Sequence, residues 1–228
     1  MDGLTKNSLE EGVHVSIVET LGKAGIVPVI VIEKEEQAVP LAKALVKGGL
    51  PVLEVTFRTT AAAAAIAAIR REVPEAIVGA GTLLTPQMVK DAKAAGAVFG
   101  VAPGFDPVVM AAAKAEDLPM CPGIATASEL SQALTAGCTM VKFFPAEAAG
   151  GVKMIKNLLG AFRFTGVRFM PTGGVNLSNI ADYLAVPEIV CCGGTWIVPK
   201  DALAAGDWVA IERLAADAAA LVRKMRNN

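Results

Sequence analysis

The chain has few of the residues that hold metals or form disulfides. Its 228 residues contain one histidine, His14, and four cysteines, Cys121, Cys138, Cys191 and Cys192, none of them in a CxxC pair. Zinc sites draw on clusters of these two residue types, so we expect no metal. We predict that the cysteines are reduced core residues of a cytoplasmic protein.

Charge of one sign and long apolar runs are also missing. The 21 Lys and Arg against 22 Asp and Glu give a formal net charge of −1, so neither a nucleic acid nor a membrane surface is an expected partner. No apolar run reaches the roughly 18 residues of a membrane-spanning helix. The first residues, MDGLTKNSLEEGVHV, are polar and acidic, unlike a secretory signal.

Apolar residues are abundant, at 54% of the chain, and many of them lie in eight short runs. The runs follow one another at intervals of about 23 residues and lack strict alternation, which is typical of parallel strands buried on both faces. They begin near Val27, Val52, Ala76, Ala97, Met120, Met140, Val167 and Ile189.

Helical patterns separate these runs, and several have clear ends. Thr85 followed by Pro86 predicts an N-cap with proline in the first turn. Thr126 and Glu129 have the spacing of a capping box. Further helices are predicted over 36–46, over 60–71, near Ile180–Leu184 and from Trp208 to Met225, and an N-terminal one over 8–22.

Eight strand–helix repeats predict an α/β fold of the (β/α)8 TIM barrel type, one domain over 1–228 with an N-terminal helix within 1–25. The rival is a doubly wound open sheet that binds a dinucleotide. Its glycine fingerprint is missing, because the nearest match, Gly79–Leu84, has leucine in place of the third glycine.

Two charged residues lie inside the apolar runs, Glu54 in the second and Lys142 in the sixth, and Arg168 lies near the start of the seventh. Burying either charge alone is costly. One interpretation is a structural Glu–Lys ion pair. The other is a lysine that forms a Schiff base, with a carboxylate as acid and base. A free lysine, with a pKa near 10.4, is almost entirely protonated at pH 7, and apolar surroundings favour the neutral amine that attacks a carbonyl.

Gly-Gly pairs follow the seventh and eighth runs, at Gly173-Gly174 and Gly193-Gly194. Barrels often bind phosphate at these two strand ends, through backbone N–H groups that glycine leaves accessible. Either pair alone could be a simple turn. Together they predict a phosphate site.

Five separated motifs resemble those of the KDPG/KHG aldolases: VLEVTFRT (52–59), GAGT (79–82), KFFPAE (142–147), PTGGV (171–175) and GGTW (193–196). The resemblance extends from about Val27 to beyond Trp196. It implies a class I aldolase that cleaves 2-keto-3-deoxy-6-phosphogluconate reversibly to pyruvate and glyceraldehyde 3-phosphate. It also implies no metal or organic cofactor, and a homotrimer.

The resemblance implies roles at the matching positions. Lys142 forms the imine with the C2 carbonyl, and Glu54 transfers protons. The pyruvate end is held by Arg58, Thr82 and Thr172, whereas Pro103 and Phe144 form walls of the pocket. The residues that bind the distal phosphate are Gly173, Gly174, Gly194 and Thr195.

Three positions bear on how closely the chain follows the family pattern. Ala102 and Thr195 stand where many members have serine. Thr172 is expected of gluconate-type rather than galactonate-type enzymes, although one position does not fix the stereochemistry of the substrate. Other interpretations of the site are a 4-hydroxy-2-oxoglutarate aldolase or an aldolase for another phosphorylated keto-sugar acid. A phosphate-sugar isomerase, epimerase or synthase on a similar barrel, and a non-catalytic barrel that binds phosphorylated metabolites, are further alternatives.

Overall fold

The computed structural model describes residues 16–226, so His14 and the first part of the predicted N-terminal helix lie outside the described residues. Short parallel strands alternate with helices along this part of the chain. The strands are β1 (Ile26–Ile30), β2 (Val52–Thr56), β3 (Ile77–Gly81), β4 (Gly100–Val101), β5 (Met120–Cys121), β6 (Gly123–Ile124), β7 (Met140–Phe143), β8 (Arg168–Pro171) and β9 (Cys192–Gly194).

The helices pack outside the strands. They are α1 (Ile17–Ala24), α2 (Ala38–Lys47), α3 (Ala62–Glu72), α4 (Pro86–Ala94), α5 (Pro107–Ala115), α6 (Ala127–Thr135), α7 (Gly151–Phe162), α8 (Ile180–Leu184), α9 (Lys200–Ala205) and α10 (Trp208–Arg226). Two short 3-10 helices cover Glu35–Gln37 and Arg163–Thr165. None of the helices within residues 16–226 has the length and apolar character needed to cross a membrane.

The strands form two parallel sheets, one of six strands in the order β5-β4-β3-β2-β1-β9 and one of three in the order β6-β7-β8. Two single parallel bridges connect β8 and the residue after it with the region of β9: Phe169 pairs with Ile189, ahead of β9, and Thr172 pairs with Gly193 in β9. This arrangement confirms the predicted parallel α/β fold. Closure into one eight-stranded barrel stays a prediction.

The fifth predicted strand is divided into β5 and β6 by Pro122. Proline has no N–H to donate, so the hydrogen-bonded ladder is interrupted there. Its carbonyl still accepts from the backbone N–H of Lys142 at 2.8 Å, which ties the break to β7. The fourth predicted strand, from Ala97, is regular only over Gly100–Val101, although Val98 and Phe99 already form backbone hydrogen bonds with β3.

Two apolar clusters hold the fold together. The larger lies between the strands and the surrounding helices. The smaller collects buried side chains of β1, β2, β4, β7 and other strands, together with Leu21 of α1. Helix α1 therefore packs its apolar face against this inner cluster. It starts after the N-cap Ser16 and ends at Gly25, which has left-handed backbone angles.

All four cysteines are buried and unbridged. Their burial confirms the predicted core position.

Candidate active site

Lys142 and Glu54 come together at the centre of the site. Lys142 lies on β7 and Glu54 on β2, and the lysine Nζ is 3.6 Å from the carboxylate Oε1. The two side chains are only 5% and 0% exposed. The Lys142 Nζ also lies 5.1 Å from the centre of the Phe144 ring, a cation–π distance. The Lys142 amine and the Glu54 carboxylate are thus buried side by side.

The carboxylate of Glu54 is poorly satisfied. Neither oxygen has a hydrogen-bond partner among the described residues, and both are fully buried. A structural ion pair in a protein interior normally has close, hydrogen-bonded geometry, because desolvation must be offset. The 3.6 Å separation lacks that geometry. The geometry is therefore looser than that expected of a purely structural ion pair.

Gly81 supplies the space that Glu54 occupies. A β-carbon at Gly81, the last residue of β3, would overlap the Glu54 carboxyl group, and would lie 2.7 Å from its Cγ. Since real Cβ atoms essentially never approach that closely, only glycine fits beside this rotamer of Glu54. Glycine is needed here because the Glu54 side chain lies so close to Gly81, and not because the backbone angles are unusual.

Arg58 and Thr82 meet at the ends of β2 and β3. The Arg58 Nε donates to the Thr82 Oγ1 at 3.3 Å, and Arg58 is exposed to solvent. Thr82 has a φ of 60°, in the left-handed region that β-branched residues rarely adopt. Such strained positions concentrate at functional sites. The guanidinium fork is thereby presented at the carboxyl ends of the strands, where it suits a carboxylate.

Thr172 and Pro103 lie after two other strands: Thr172 directly follows β8, which pairs with β7, and Pro103 follows β4. Thr172 is 5% exposed, and its Oγ1 is buried with no hydrogen-bond partner within residues 16–226. Gly193 makes room for it, since a β-carbon there would collide with the threonine side chain. Gly123 of β6 likewise makes room for the Pro103 carbonyl, with which a β-carbon on Gly123 would collide.

The peptides after β8 are fixed through their carbonyl groups. The Thr172 carbonyl accepts from Ala146 N–H at 2.8 Å, and the Gly173 carbonyl accepts from Glu147 N–H at 3.0 Å. Across a trans peptide the C=O and N–H point in opposite directions. The Gly174 N–H is therefore turned away from Glu147, and no group of residues 16–226 accepts a hydrogen bond from it.

The next carbonyl, that of Gly174, accepts from the side-chain amides of Asn176 and Asn179, both at 3.1 Å. Gly173 and Gly174 have φ values of 100° and 82°, which glycine adopts without strain. The Gly174 N–H is thus left without a partner among residues 16–226, and backbone N–H groups in turns can bind an anion.

Gly194 and Thr195 lie at the end of β9. Gly194 is buried and packs directly against the Trp196 ring, whereas Thr195 is exposed. Gly194 pairs with Pro28 of β1, so the end of β9 is anchored by the first strand. Groups of His, Cys, Asp and Glu able to hold a metal ion were not found among residues 16–226.

A family model described as KDPG and KHG aldolase matches residues 17–214. The chain belongs to the KDPG and KHG aldolase family. The match covers most of the chain, and the motifs quoted above all fall within it.

Several known members of this aldolase family are close relatives. The KHG/KDPG aldolase of Escherichia coli (strain K12) is 52% identical over 193 residues, which is 85% of this chain and 90% of the relative. The 2-dehydro-3-deoxy-phosphogluconate aldolase of Treponema pallidum (strain Nichols) is 48% identical over 200 residues, 88% of this chain and 94% of the relative.

A solved aldolase structure has the same fold. The KDPG aldolase of Legionella pneumophila, with pyruvate captured at low pH as a covalent carbinolamine intermediate, superposes with a TM-score of 0.85 at 41% identity. The superposition covers 90% of this chain and 98% of that chain.

Some residues in or near the candidate site had no role assigned from the sequence. Gly81 was only part of the GAGT motif, yet it makes room for Glu54. Glu147 ended KFFPAE without an assigned function, and its carboxylate accepts a hydrogen bond from Tyr183. Tyr183 lies 36 residues further along the chain, in a short helix, so no local pattern could have linked the two.

Proposed function

We propose that this protein is a class I aldolase that cleaves 2-keto-3-deoxy-6-phosphogluconate reversibly to pyruvate and glyceraldehyde 3-phosphate. The observation that carries the proposal is the buried Lys142 amine, 3.6 Å from a buried carboxylate without other partners. An unphosphorylated substrate, 4-hydroxy-2-oxoglutarate, is the second candidate, because a relative 52% identical to this chain bears both substrates in its name.

In the proposed mechanism Lys142 forms a covalent bond with the substrate. Its neutral amine adds to the C2 ketone, and the resulting carbinolamine loses water to give a cationic imine. Glu54 supplies the proton that the departing hydroxyl needs. The imine then serves as an electron sink next to the bond that breaks.

Cleavage follows when Glu54 removes the proton from the C4 hydroxyl. The C3–C4 bond breaks and the aldehyde leaves. The electrons of the broken bond stay with C3 and form an enamine on Lys142. Protonation at C3 and hydrolysis of the imine release pyruvate and regenerate the free amine. General acid–base catalysis by one positioned group typically contributes about 10²–10⁴-fold.

The remaining site residues bind the two ends of the substrate in this proposal. The pyruvate end contacts Arg58, Thr82 and Thr172, between the walls formed by Pro103 and Phe144. The distal phosphate is bound by Gly173, Gly174, Gly194 and Thr195. The outward Gly174 N–H group supports this placement, since backbone donors at strand ends are common phosphate ligands.

Borohydride reduction in the presence of pyruvate tests the lysine. We expect a stable adduct on Lys142 that peptide mass spectrometry locates, and no adduct in Lys142→Ala. Full activity of Lys142→Ala would refute the Schiff-base mechanism. A protein that turns over a phosphorylated sugar without trapping pyruvate would instead be an isomerase, epimerase or synthase, and one that binds without turnover would be a non-catalytic barrel.

The two aldolase substrates are separated by measuring kcat/KM on each with the wild-type protein. A higher value for the phosphorylated keto acid supports the gluconate assignment. A higher value for 4-hydroxy-2-oxoglutarate supports the second candidate.

We also propose that the two sheets close into one (β/α)8 barrel forming a single domain over 1–228. The bridges from β8 toward β9 support closure on one side. On the other side, only Pro122 separates β5 from β6. A single cooperative transition in calorimetry is the expected signature of one domain.

The family resemblance further supports a homotrimer, to be tested by light scattering as three times the chain mass. It also supports a cytoplasmic location, which is consistent with four unbridged cysteines.

A further inference from the structure

Glu147 connects two parts of the chain beside the Gly173-Gly174 turn. Its carboxylate accepts a hydrogen bond from the Tyr183 hydroxyl of α8. Tyr183 is only 1% exposed, so the ring is fixed by packing and its hydroxyl points at a defined place. Burial, with a contribution from Glu147, raises the pKa of the Tyr183 phenol, which therefore stays a neutral donor.

The same glutamate contacts the turn twice. Its backbone N–H donates to the Gly173 carbonyl at 3.0 Å. Its side chain lies over Gly174, where an added β-carbon would be 2.6 Å from the Glu147 Cγ. Glu147 thus hydrogen-bonds to Gly173 and covers Gly174, while Tyr183 fixes the end of the Glu147 side chain.

We propose that Glu147 and Tyr183 are positioning residues that fix the Gly173-Gly174 peptides for phosphate, and so determine how strongly phosphorylated substrates are preferred over unphosphorylated ones. The inference rests on the proposed function of this turn as a phosphate site. Two consecutive glycines with left-handed backbone angles have many alternative conformations. Contacts that select one of them pre-organise the N–H donors before the anion arrives.

A carboxylate near a bound phosphate would repel it unless its charge is balanced. The Glu147 Oε1 lies 3.2 Å from the position of a β-carbon on Gly151, the first residue of α7. The positive end of the α7 dipole is therefore beside the carboxylate and offsets its charge. The role of Glu147 in this arrangement is to supply an acceptor and an apolar stem, and its charge is not required.

Tyr183→Phe is the first test, because it removes one hydroxyl and keeps the buried ring. Calorimetric titration with inorganic phosphate should show binding about tenfold weaker than in the wild-type protein, the effect expected for a lost hydrogen bond to a charged group. KM for the phosphorylated keto acid should rise by a similar factor with kcat unchanged. Both constants for 4-hydroxy-2-oxoglutarate should stay within about twofold of wild type.

Glu147 offers a pair of variants that separates shape from charge. Glu147→Gln keeps an acceptor for Tyr183 and the apolar stem over Gly174, so phosphate affinity should stay within about threefold of wild type. Glu147→Ala removes both and should weaken phosphate binding by about tenfold or more. Equal losses in the two variants would mean that the retained acceptor and apolar stem of Glu147→Gln do not hold the turn, and would overturn the proposal.

Arg163→Ala is the matched control for a loss of stability. Arg163 pairs with the nearly buried Glu188 at 2.7 Å, at the opposite end of β8 from the turn. Its loss should lower the unfolding temperature without changing the affinity for inorganic phosphate. Tyr183→Phe is expected to change phosphate affinity even if its unfolding temperature falls less than that of Arg163→Ala.

The result that would overturn the inference is a Tyr183→Phe protein with wild-type affinity for phosphate, or one that loses efficiency equally on both substrates. Failure of the proposed function looks different. In that case the wild-type protein forms no borohydride adduct with pyruvate, whereas the phosphate titrations of the variants remain interpretable on their own.

Discussion

At the scale of single residues, the site depends on where side chains are missing as much as on where they are present. Gly81 and Gly193 leave the space that Glu54 and Thr172 fill. Both polar side chains are buried and lack partners among the described residues. The protein interior thus leaves room for two buried polar side chains at the candidate site.

Gly81→Ala tests the dependence of Glu54 on this space. The added methyl group must displace the carboxylate, so kcat should fall by about 10-fold or more, approaching the effect of Glu54→Gln. Overpacking should also lower stability by about 1–3 kcal/mol. Steady-state kinetics and thermal unfolding measure the two effects separately.

Gly48→Ala controls for the loss of stability in that experiment. It also overpacks, but against α10, where the atoms that an added β-carbon would meet belong to Ala215, Glu212 and Ala216 rather than to Glu54. If Gly48→Ala reduced kcat as much as Gly81→Ala, a displaced carboxylate would not be the cause.

Thiol reactivity provides a second prediction at this scale. Burial raises the pKa of the Cys121, Cys191 and Cys192 thiols, and a smaller burial effect raises that of Cys138. A raised pKa means less reactive thiolate at a given pH. At pH 8 an aromatic disulfide reagent should therefore label the native protein slowly and label all four thiols at once after unfolding. Rapid labelling of even one native thiol would contradict the burial.

At the scale of elements, local sequence signals set where several helices begin. Thr85 caps α4 by accepting from the backbone N–H of Met88 at 3.2 Å, as its position before Pro86 predicted. The predicted capping box of α6 is present in both directions. These signals act over three or four residues, and so the sequence reveals them directly.

The α6 capping box predicts a pH-dependent contribution to stability. Hydrogen bonds from the backbone of Ala125 and from Thr126 lower the pKa of the Glu129 carboxyl against a smaller opposing effect of burial. Because the pKa of Glu129 is lower in the folded than in the unfolded state, its stabilisation is fully present when the pH is above the pKa of the unfolded state. The stabilisation is lost as the pH falls through the pKa of the folded state.

Thr126→Ala should cost about 1 kcal/mol at pH 7, or roughly 2–4 °C in unfolding temperature. Glu129→Ala should be less stable than wild type at pH 7, and this difference should shrink below about pH 4. Thermal unfolding of the three proteins at pH 7 and at pH 3.5 measures both. A difference between Glu129→Ala and wild type that is the same at the two pH values would contradict the assignment.

At the scale of the whole molecule, the long helix α10 packs against α2 through small residues. A β-carbon on Gly48 would lie 2.5 Å from the Ala215 Cβ and 2.7 Å from the Glu212 carbonyl. The sequence predicted a stripe through Trp208, Ile211, Leu214, Ala218, Leu221 and Met225. The structure buries Ile211 and Ala218 of these, together with Ala215, Ala219 and Val222. Periodicity identified the helix, but close approach to α2 favours the small residues beside the predicted stripe.

Gly48→Ala should therefore lower the free energy of unfolding by about 1–3 kcal/mol, because its backbone angles are ordinary and only the packing is disturbed. Gly160→Ala is the matched control. It lies in the exposed part of α7 with no atom within 4 Å of an added β-carbon. Replacement of a helical glycine should raise stability by about 0.5–1 kcal/mol. Equal effects in the two variants would mean that the α2–α10 contact does not limit stability.

By itself the sequence determined the alternation of strands and helices, the buried positions of the cysteines and the family. It also placed two charged residues in apolar strands. These properties follow from hydrophobic periodicity, capping residues and motifs that are local in the chain.

Only the tertiary structure decided the 3.6 Å approach of Lys142 to Glu54, the division of the fifth strand at Pro122 and the contact of Tyr183 with Glu147. These features join residues from different strands and helices or depend on the pairing of neighbouring strands. Their geometry arises from packing of the whole chain. The fold shows that Lys142 in its apolar strand lies beside the Glu54 carboxylate, and that Gly81 leaves room for this carboxylate.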